Sequence, residues 1–205
     1  MDICETCFTH LPRNRAYCYR CGISLVSVPR EGMICGNCQK KPPYFDATHA
    51  PFLHQDAIRY LITGLKFHRQ FANARLLALL MAESLKNLPD MPERIIPIPL
   101  HPKRYRERGF NQAIEIARTL SRELVIPLNY KNCIRSRNTP HQIGLPAGQR
   151  RKNLRNAFEL VKPIEAEHVA LFDDVITTGT TASELAKILK KAGIAKVEVW
   201  ACARA

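Results

Sequence analysis

The stretch from His168 to Ala203 leaves this chain few architectures. His168 to Phe172 is an uninterrupted buried-strand pattern, Thr181 to Ala192 repeats apolar residues at helical spacing before Gly193, and Val197 to Ala203 reads as a second buried strand. Strand, helix, strand predicts a parallel sheet with a right-handed crossover. The intervening Asp173-Asp174-Val175-Ile176-Thr177-Thr178-Gly179-Thr180-Thr181 then lies at the carboxyl end of a parallel strand, where open α/β sheets bind ligands. Thr177, Thr178, Gly179, Thr180 and Thr181 offer backbone N–H groups and hydroxyls at a helix N-terminus, a set that binds a phosphate dianion without any base. It is not a P-loop, since no Gly-Lys-Ser/Thr follows. Asp173 and Asp174 would repel that phosphate, so they face sugar hydroxyls, a metal ion, or both.

The other end of the chain carries a different signal. Six of the eight cysteines form three pairs of identical spacing, Cys4/Cys7, Cys18/Cys21 and Cys35/Cys38. Two residues between cysteines let both thiolates face one ion, and a tetrahedral zinc site takes two such pairs. A thioredoxin-like redox pair opens a helix, and none of these pairs opens an evident one. Six ligands make one zinc site and leave a pair over. The first seven residues hold two cysteines and no secretory signal, and the longest tempting apolar stretch, Leu76 to Ala82, is far too short to span a bilayer, so a cytoplasmic protein without membrane insertion is expected.

With 205 residues, the length fits one full domain plus an appendage, and the 46% apolar and 24% charged composition excludes collagen-like, disordered and disulfide-miniprotein classes. Residues 1–43 are predicted to form the cysteine module, ending in a Lys40-Lys41-Pro42-Pro43 linker, with 44–205 as the main domain. Helices are expected from Asp56, from Leu76 towards Leu85, and from the capping residue Asn111 to Leu124, with a short strand at Arg94 to Pro99. A polar basic loop is expected up to Gly109, and a long mobile loop over Asn132 to Leu154. The net charge of +13 is concentrated: residues 101–112 carry four bases and one acid, and 131–155 carry seven bases and no acid. Such runs are either a solvated surface or the walls of a polyanion site.

The run Val169 to Thr181 resembles the phosphoribosyl diphosphate (PRPP) motif of type I phosphoribosyltransferases. Over nearly the whole chain the sequence is similar to the ComF and GntX family linked to bacterial competence. The marks are the cysteine pairs, Pro42-Pro43 after Cys38, Arg108-Gly109-Phe110-Asn111-Gln112, Gln142, Arg151-Lys152-Asn153-Leu154 before Ala157-Phe158, and the PRPP motif. The resemblance implies a type I phosphoribosyltransferase fold behind a small zinc module. It places Asp173 and Asp174 on the ribose hydroxyls, wraps Thr177 to Thr181 around the 5-phosphate, and has Mg²⁺ bridge the diphosphate. Family members often carry four cysteine pairs. By that comparison Cys18, Cys21, Cys35 and Cys38 form the complete zinc site, and Cys4 and Cys7 lack their partner pair.

The function this implies is displacement of diphosphate from PRPP by an unidentified nitrogen nucleophile, with Arg104, Arg106 or Arg108 and Mg²⁺ neutralising the leaving group. A lid from Arg137 to Arg151 would exclude water. Thr177 stands where 6-oxopurine enzymes place an acid, so their acceptor chemistry is not carried over. His141 in the lid is a candidate acid or base, although a lone loop histidine is more often plain surface. The rival expectation is a single-stranded DNA-handling protein of the transformation machinery, working with competence proteins. In it the zinc module and the basic loops, with Arg137, Arg150, Arg151 and Lys152, grip the strand and the PRPP site is regulatory or vestigial.

Overall fold

The computed structural model describes residues 3–26, 32–137 and 156–205. In chain order the elements are α1 (Glu5–Thr9), α2 (Gly36–Lys40), β1 (Ala47–His49), β2 (Phe52–Leu53), α3 (Asp56–His68), α4 (Phe71–Leu85), β3 (Arg94–Pro97), α5 (Pro102–Arg108), α6 (Gln112–Leu124), β4 (Cys133–Arg135), β5 (Phe158–Leu160), β6 (His168–Ile176), α7 (Thr180–Lys191) and β7 (Lys196–Arg204). A parallel sheet in the order β1-β7-β6-β3, with β2 also paired to β7, forms the frame. β4 and β5 make a separate antiparallel pair.

Strand pleating divides the core in two. Ala170 and Phe172 of β6 and Trp200 and Cys202 of β7 face α3, α4 and α6, while Val169, Leu171, Val197 and Val199 face α7. All eight are fully buried, each of the larger side chains stabilising the fold by roughly 1.5–3 kcal/mol. In α6 the stripe Ala113, Ile116, Ala117 and Leu120 meets this core, and the helix stops where Val125 takes a left-handed conformation.

Four expectations need correction. The basic loop before Gly109 is helix α5: Pro102 sits at its first turn, the His101 ring accepts a hydrogen bond from the Lys103 N–H, and Gly109 closes it at φ 85°. The long loop begins later than expected, because Cys133 to Arg135 pairs with Phe158 to Leu160, and its remainder from 138 lies outside the described residues. Strands β1 and β2, and the start of α4 at Phe71, were not anticipated. Cys4 and Cys35 each cap a one-turn helix, so two of the three pairs do open helices.

The cysteine segment packs against the sheet. Thr48 of β1 donates its N–H to the Tyr19 carbonyl and its hydroxyl to that of Arg20, and the Asn14 N–H reaches the Pro51 carbonyl.

Candidate functional site

The site is built where β6 ends. Asp174 is 2% exposed, and its carboxylate accepts from Lys66 Nζ at 2.9 Å and Gln112 Nε2 at 3.3 Å. The half-buried Asp173 turns one oxygen back onto the Asp174 N–H at 2.9 Å. Burial, reinforced by the neighbouring Asp174 charge, pushes the Asp173 carboxyl well above the usual range. Burial acts on Asp174 in the same direction, but the Lys66 ammonium outweighs it and holds that carboxyl below the usual range.

Helix α5 sorts the arginines of the first basic run. Arg104 and Arg108 are four residues apart and share a face, whereas Arg106 is exposed elsewhere on the helix. Burial lowers the Arg108 pKa, opposed by Asp174 and Asp173 and aided by Arg104, so these charges share one space. Arg108 also donates to the Gln112 side chain, which completes a relay from Arg108 through Gln112 to Asp174. The intervening residues fix this relay. Gly109 makes the left-handed turn, Phe110 packs edge-on to Phe71, and Asn111 caps α6 while donating to the Ile98 carbonyl at 3.0 Å. That bond ties α6 to the chain just beyond β3.

Past Ile176 the chain turns through exposed Thr177 and Thr178 to Gly179, which caps α7 at φ 70°. The Thr180 N–H reaches Thr178 Oγ1 at 3.4 Å, and the two hydroxyls lie 2.8 Å apart. Thr181 follows, partly buried, in the first turn of α7. Helix N–H groups without intrahelical partners therefore stand beside two carboxylates and a set of arginines. This combination suits a ligand carrying anionic groups and hydroxyls, and carboxylate oxygen donors are the kind Mg²⁺ takes.

A second cluster lies in the N-terminal segment. The thiols of Cys18, Cys21, Cys35 and Cys38 all fall within 4.8 Å of one another, and Cys21 Sγ is 3.8 Å from Cys35 Sγ. A tetrahedral zinc with Zn–S bonds of ~2.3 Å requires S···S edges of about 3.8 Å, so the set fits zinc. The Cys35 N–H donates to Cys18 Sγ at 3.2 Å. Burial works against ionisation of Cys18, but this bond and others lower its thiol to about 7. Cys4 and Cys7 are not part of the cluster. They are exposed, and the Cys7 N–H donates to Cys4 Sγ at 3.4 Å.

No protein-family model matches the sequence. Competence protein F of Haemophilus influenzae is 38% identical over 212 residues, an alignment covering 99% of this chain and 90% of that protein. DNA utilization protein YhgH of Escherichia coli O157:H7 is 34% identical over 208 residues, covering 98% and 90%. The chain belongs to the family of competence protein F and YhgH. Among solved structures, a purine phosphoribosyltransferase from Pyrococcus horikoshii Ot3 aligns at a TM-score of 0.38 and 20% identity over 65% of this chain and 83% of that one.

In this family member the structure brings Asp173, Asp174, Arg104, Arg108 and the Thr177–Thr181 loop to one end of the sheet. Arg137 is exposed just before the undescribed segment, and Arg150, Arg151, Lys152 and His141 lie outside the described residues. Two site residues were missed. Lys66 follows the buried stripe Ile58, Ile62 and Leu65, and a lysine four residues after Ile62 on that face is a signal that it has a buried partner. Arg135 is 6% exposed, with its guanidinium over the Phe158 ring. Burial first and Arg104 second lower its pKa to about 10, against Asp173. In the buried-exposed-buried pattern of β4 it occupies an inward position that an apolar residue would normally fill. Among the described residues, no helix is long and apolar enough to cross a membrane.

Proposed function

We propose that this chain is a cytoplasmic PRPP-dependent phosphoribosyltransferase of the competence protein F family, with Mg²⁺ at the active site and structural zinc at the N-terminus. The observation carrying this reading is the convergence of Asp173, Asp174, the α7 N-terminal loop, Arg104 and Arg108 at one sheet end. A single ligand satisfies the accessible groups: ribose hydroxyls for Asp173, which the buried Asp174 backs, a 5-phosphate for the Thr177–Thr181 loop, and a diphosphate for the arginines.

The bond from the anomeric carbon to diphosphate breaks as a nitrogen nucleophile bonds to that carbon, and the proton the nitrogen gives up passes to the released diphosphate or to solvent. Arg104, Arg108 and the buried Arg135 offset the charge gathering on the leaving diphosphate, and a dry site strengthens that effect. Asp173 is the accessible carboxylate that would hold Mg²⁺ or the ribose hydroxyls, and the bound ion would supply further charge neutralisation. Lys66 and Gln112 hold Asp174 ionised and fixed, so that binding does not have to organise it. Incubating the protein with PRPP, Mg²⁺ and a cell extract, and following diphosphate together with a phosphoribosylated product, tests the activity.

A second reading, single-stranded DNA handling, is favoured by the names of the relatives, competence protein F and DNA utilization protein, and by the basic runs at 101–112 and 131–155. Fluorescence anisotropy of a labelled oligonucleotide across a salt series tests it. Engagement of about four bases gives a log–log slope near −3, flattened by about 1.4 in Arg151→Ala/Lys152→Ala. Absence of binding at low salt removes it.

A further inference from the structure

Four thiolates around one Zn²⁺ leave a net charge of about −2 on a partly buried cluster, and such a charge needs a counter-ion. Arg20, next to Cys21 in sequence, is already committed: its Nη1 donates to the Phe45 carbonyl at 2.9 Å and lies 3.6 Å from Asp46. Arg204, the last residue of β7, is 8% exposed and lies behind the cysteine knuckle. Gly22 follows Cys21 at φ 71°, and a Cβ there would lie 2.8 Å from Thr48 Cγ2 and 3.7 Å from Arg204 Cδ. A glycine is thus what lets the knuckle come down onto Thr48 of β1, with the Arg204 side chain in ordinary contact beside it. The Arg204 guanidinium interacts with the Cys21 side chain and the charges of Cys35 and Cys18, and its Nε is buried with no hydrogen-bond partner. Its Nη1 meanwhile donates to the Ala205 carbonyl and, at 3.3 Å, to the Ile176 carbonyl, which also accepts the Ala205 N–H at 3.0 Å. Ile176 ends β6, and the next residue, Thr177, opens the phosphate loop.

We propose that Arg204 couples the two sites, acting as the buried counter-charge of the tetrathiolate zinc centre while its guanidinium holds the strand end from which the phosphate loop springs. This rests on the zinc assignment made above, and it makes Arg204 a positioning residue for the loop. When zinc leaves, the arginine loses its anionic partner, and the Ile176 carbonyl keeps the Ala205 N–H but loses its fixed side-chain donor.

The test uses the full chain and two readouts that do not involve PRPP: the rate of zinc release to a colorimetric chelator, and amide hydrogen exchange across residues 176–183 with and without zinc. Partners behind metal ligands typically change metal affinity 10- to 100-fold, so Arg204→Met should release zinc about that much faster. Arg204→Lys keeps the charge but not the fork, and should retain zinc nearly as the wild type does while its loop exchanges faster. In the wild type, stripping zinc should speed loop exchange. In Arg204→Met the loop should already be fast and respond little to zinc. Wild-type release rates in Arg204→Met, or wild-type loop exchange indifferent to zinc, would overturn the proposal. If Arg204→Met does not fold, Arg204→Lys and the stripped wild type still decide. A wild-type protein that holds no zinc overturns the metal assignment and this proposal together, whereas one that ignores PRPP leaves both readouts standing.

Discussion

Lys66 Nζ stands 2.9 Å from Asp174 Oδ2, an ion pair that joins α3 to the strand end carrying the acidic pair. Asp174 is nearly inaccessible and Lys66 is only partly exposed, so this is more than a surface pair. Lys66→Met should destabilise the protein by about 1.5–3 kcal/mol at neutral pH by leaving a buried carboxylate short of a charged donor. Because the folded Asp174 pKa is lowered, the stabilisation from Asp174 is present above its unfolded value and fades as pH falls through the folded one. Urea titrations of both proteins should therefore differ most near pH 7 and converge in acid. A constant difference at all pH values would contradict the pairing.

Asp173 has the opposite sign. Its folded pKa is raised, so the penalty of ionising it in the fold grows as pH rises above the unfolded value of ~3.9 and is complete above the folded one. Asp173→Asn should raise the thermal midpoint at pH 8 more than at pH 4, measured without ligand. The same change should weaken PRPP binding, a stability gain set against function.

Helix α5 separates arginines that lie only two positions apart in sequence. Arg108→Ala should weaken PRPP binding about tenfold, the loss of one charged hydrogen bond, while Arg106→Ala changes it less than twofold. Calorimetric titration of both variants checks this, and equal losses would mean that the helix does not sort them.

The thiol geometry predicts one zinc held by Cys18, Cys21, Cys35 and Cys38. Cys35→Ser should lose it and loosen the packing of residues 14–22 on β1, whereas Cys4→Ser/Cys7→Ser should keep it. Metal analysis of the purified variants decides. Retention of zinc in Cys18→Ser/Cys35→Ser would contradict the assignment.

The sequence already showed the parts of this molecule that are local. Asp173 to Thr181 announces its strand end, turn and helix start within nine residues, and the cysteine spacing needs no tertiary context. Helix α5 was partly visible in Pro102 and Gly109, but Lys103 to Arg108 has no apolar stripe to reveal it. β1 and β2, three and two residues long, offer no alternation to read and are held by pairing with β7. Lys66, Arg135 and Arg204 matter through partners far along the chain: Lys66 meets Asp174 across 108 positions, and no window around a single residue contains both.

The central claim is that the acidic pair and the phosphate loop form one PRPP site, and calorimetric titration of PRPP with and without Mg²⁺ tests it most directly. The wild type should bind in a Mg²⁺-dependent way. Asp173→Asn removes the accessible carboxylate, so the loss of charged hydrogen bonds worth roughly 1.5–3 kcal/mol should weaken binding about ten- to a hundredfold, and Asp173→Asn/Asp174→Asn should weaken it beyond that. Unchanged binding in the double variant, or no binding by a folded wild-type protein, would contradict the claim.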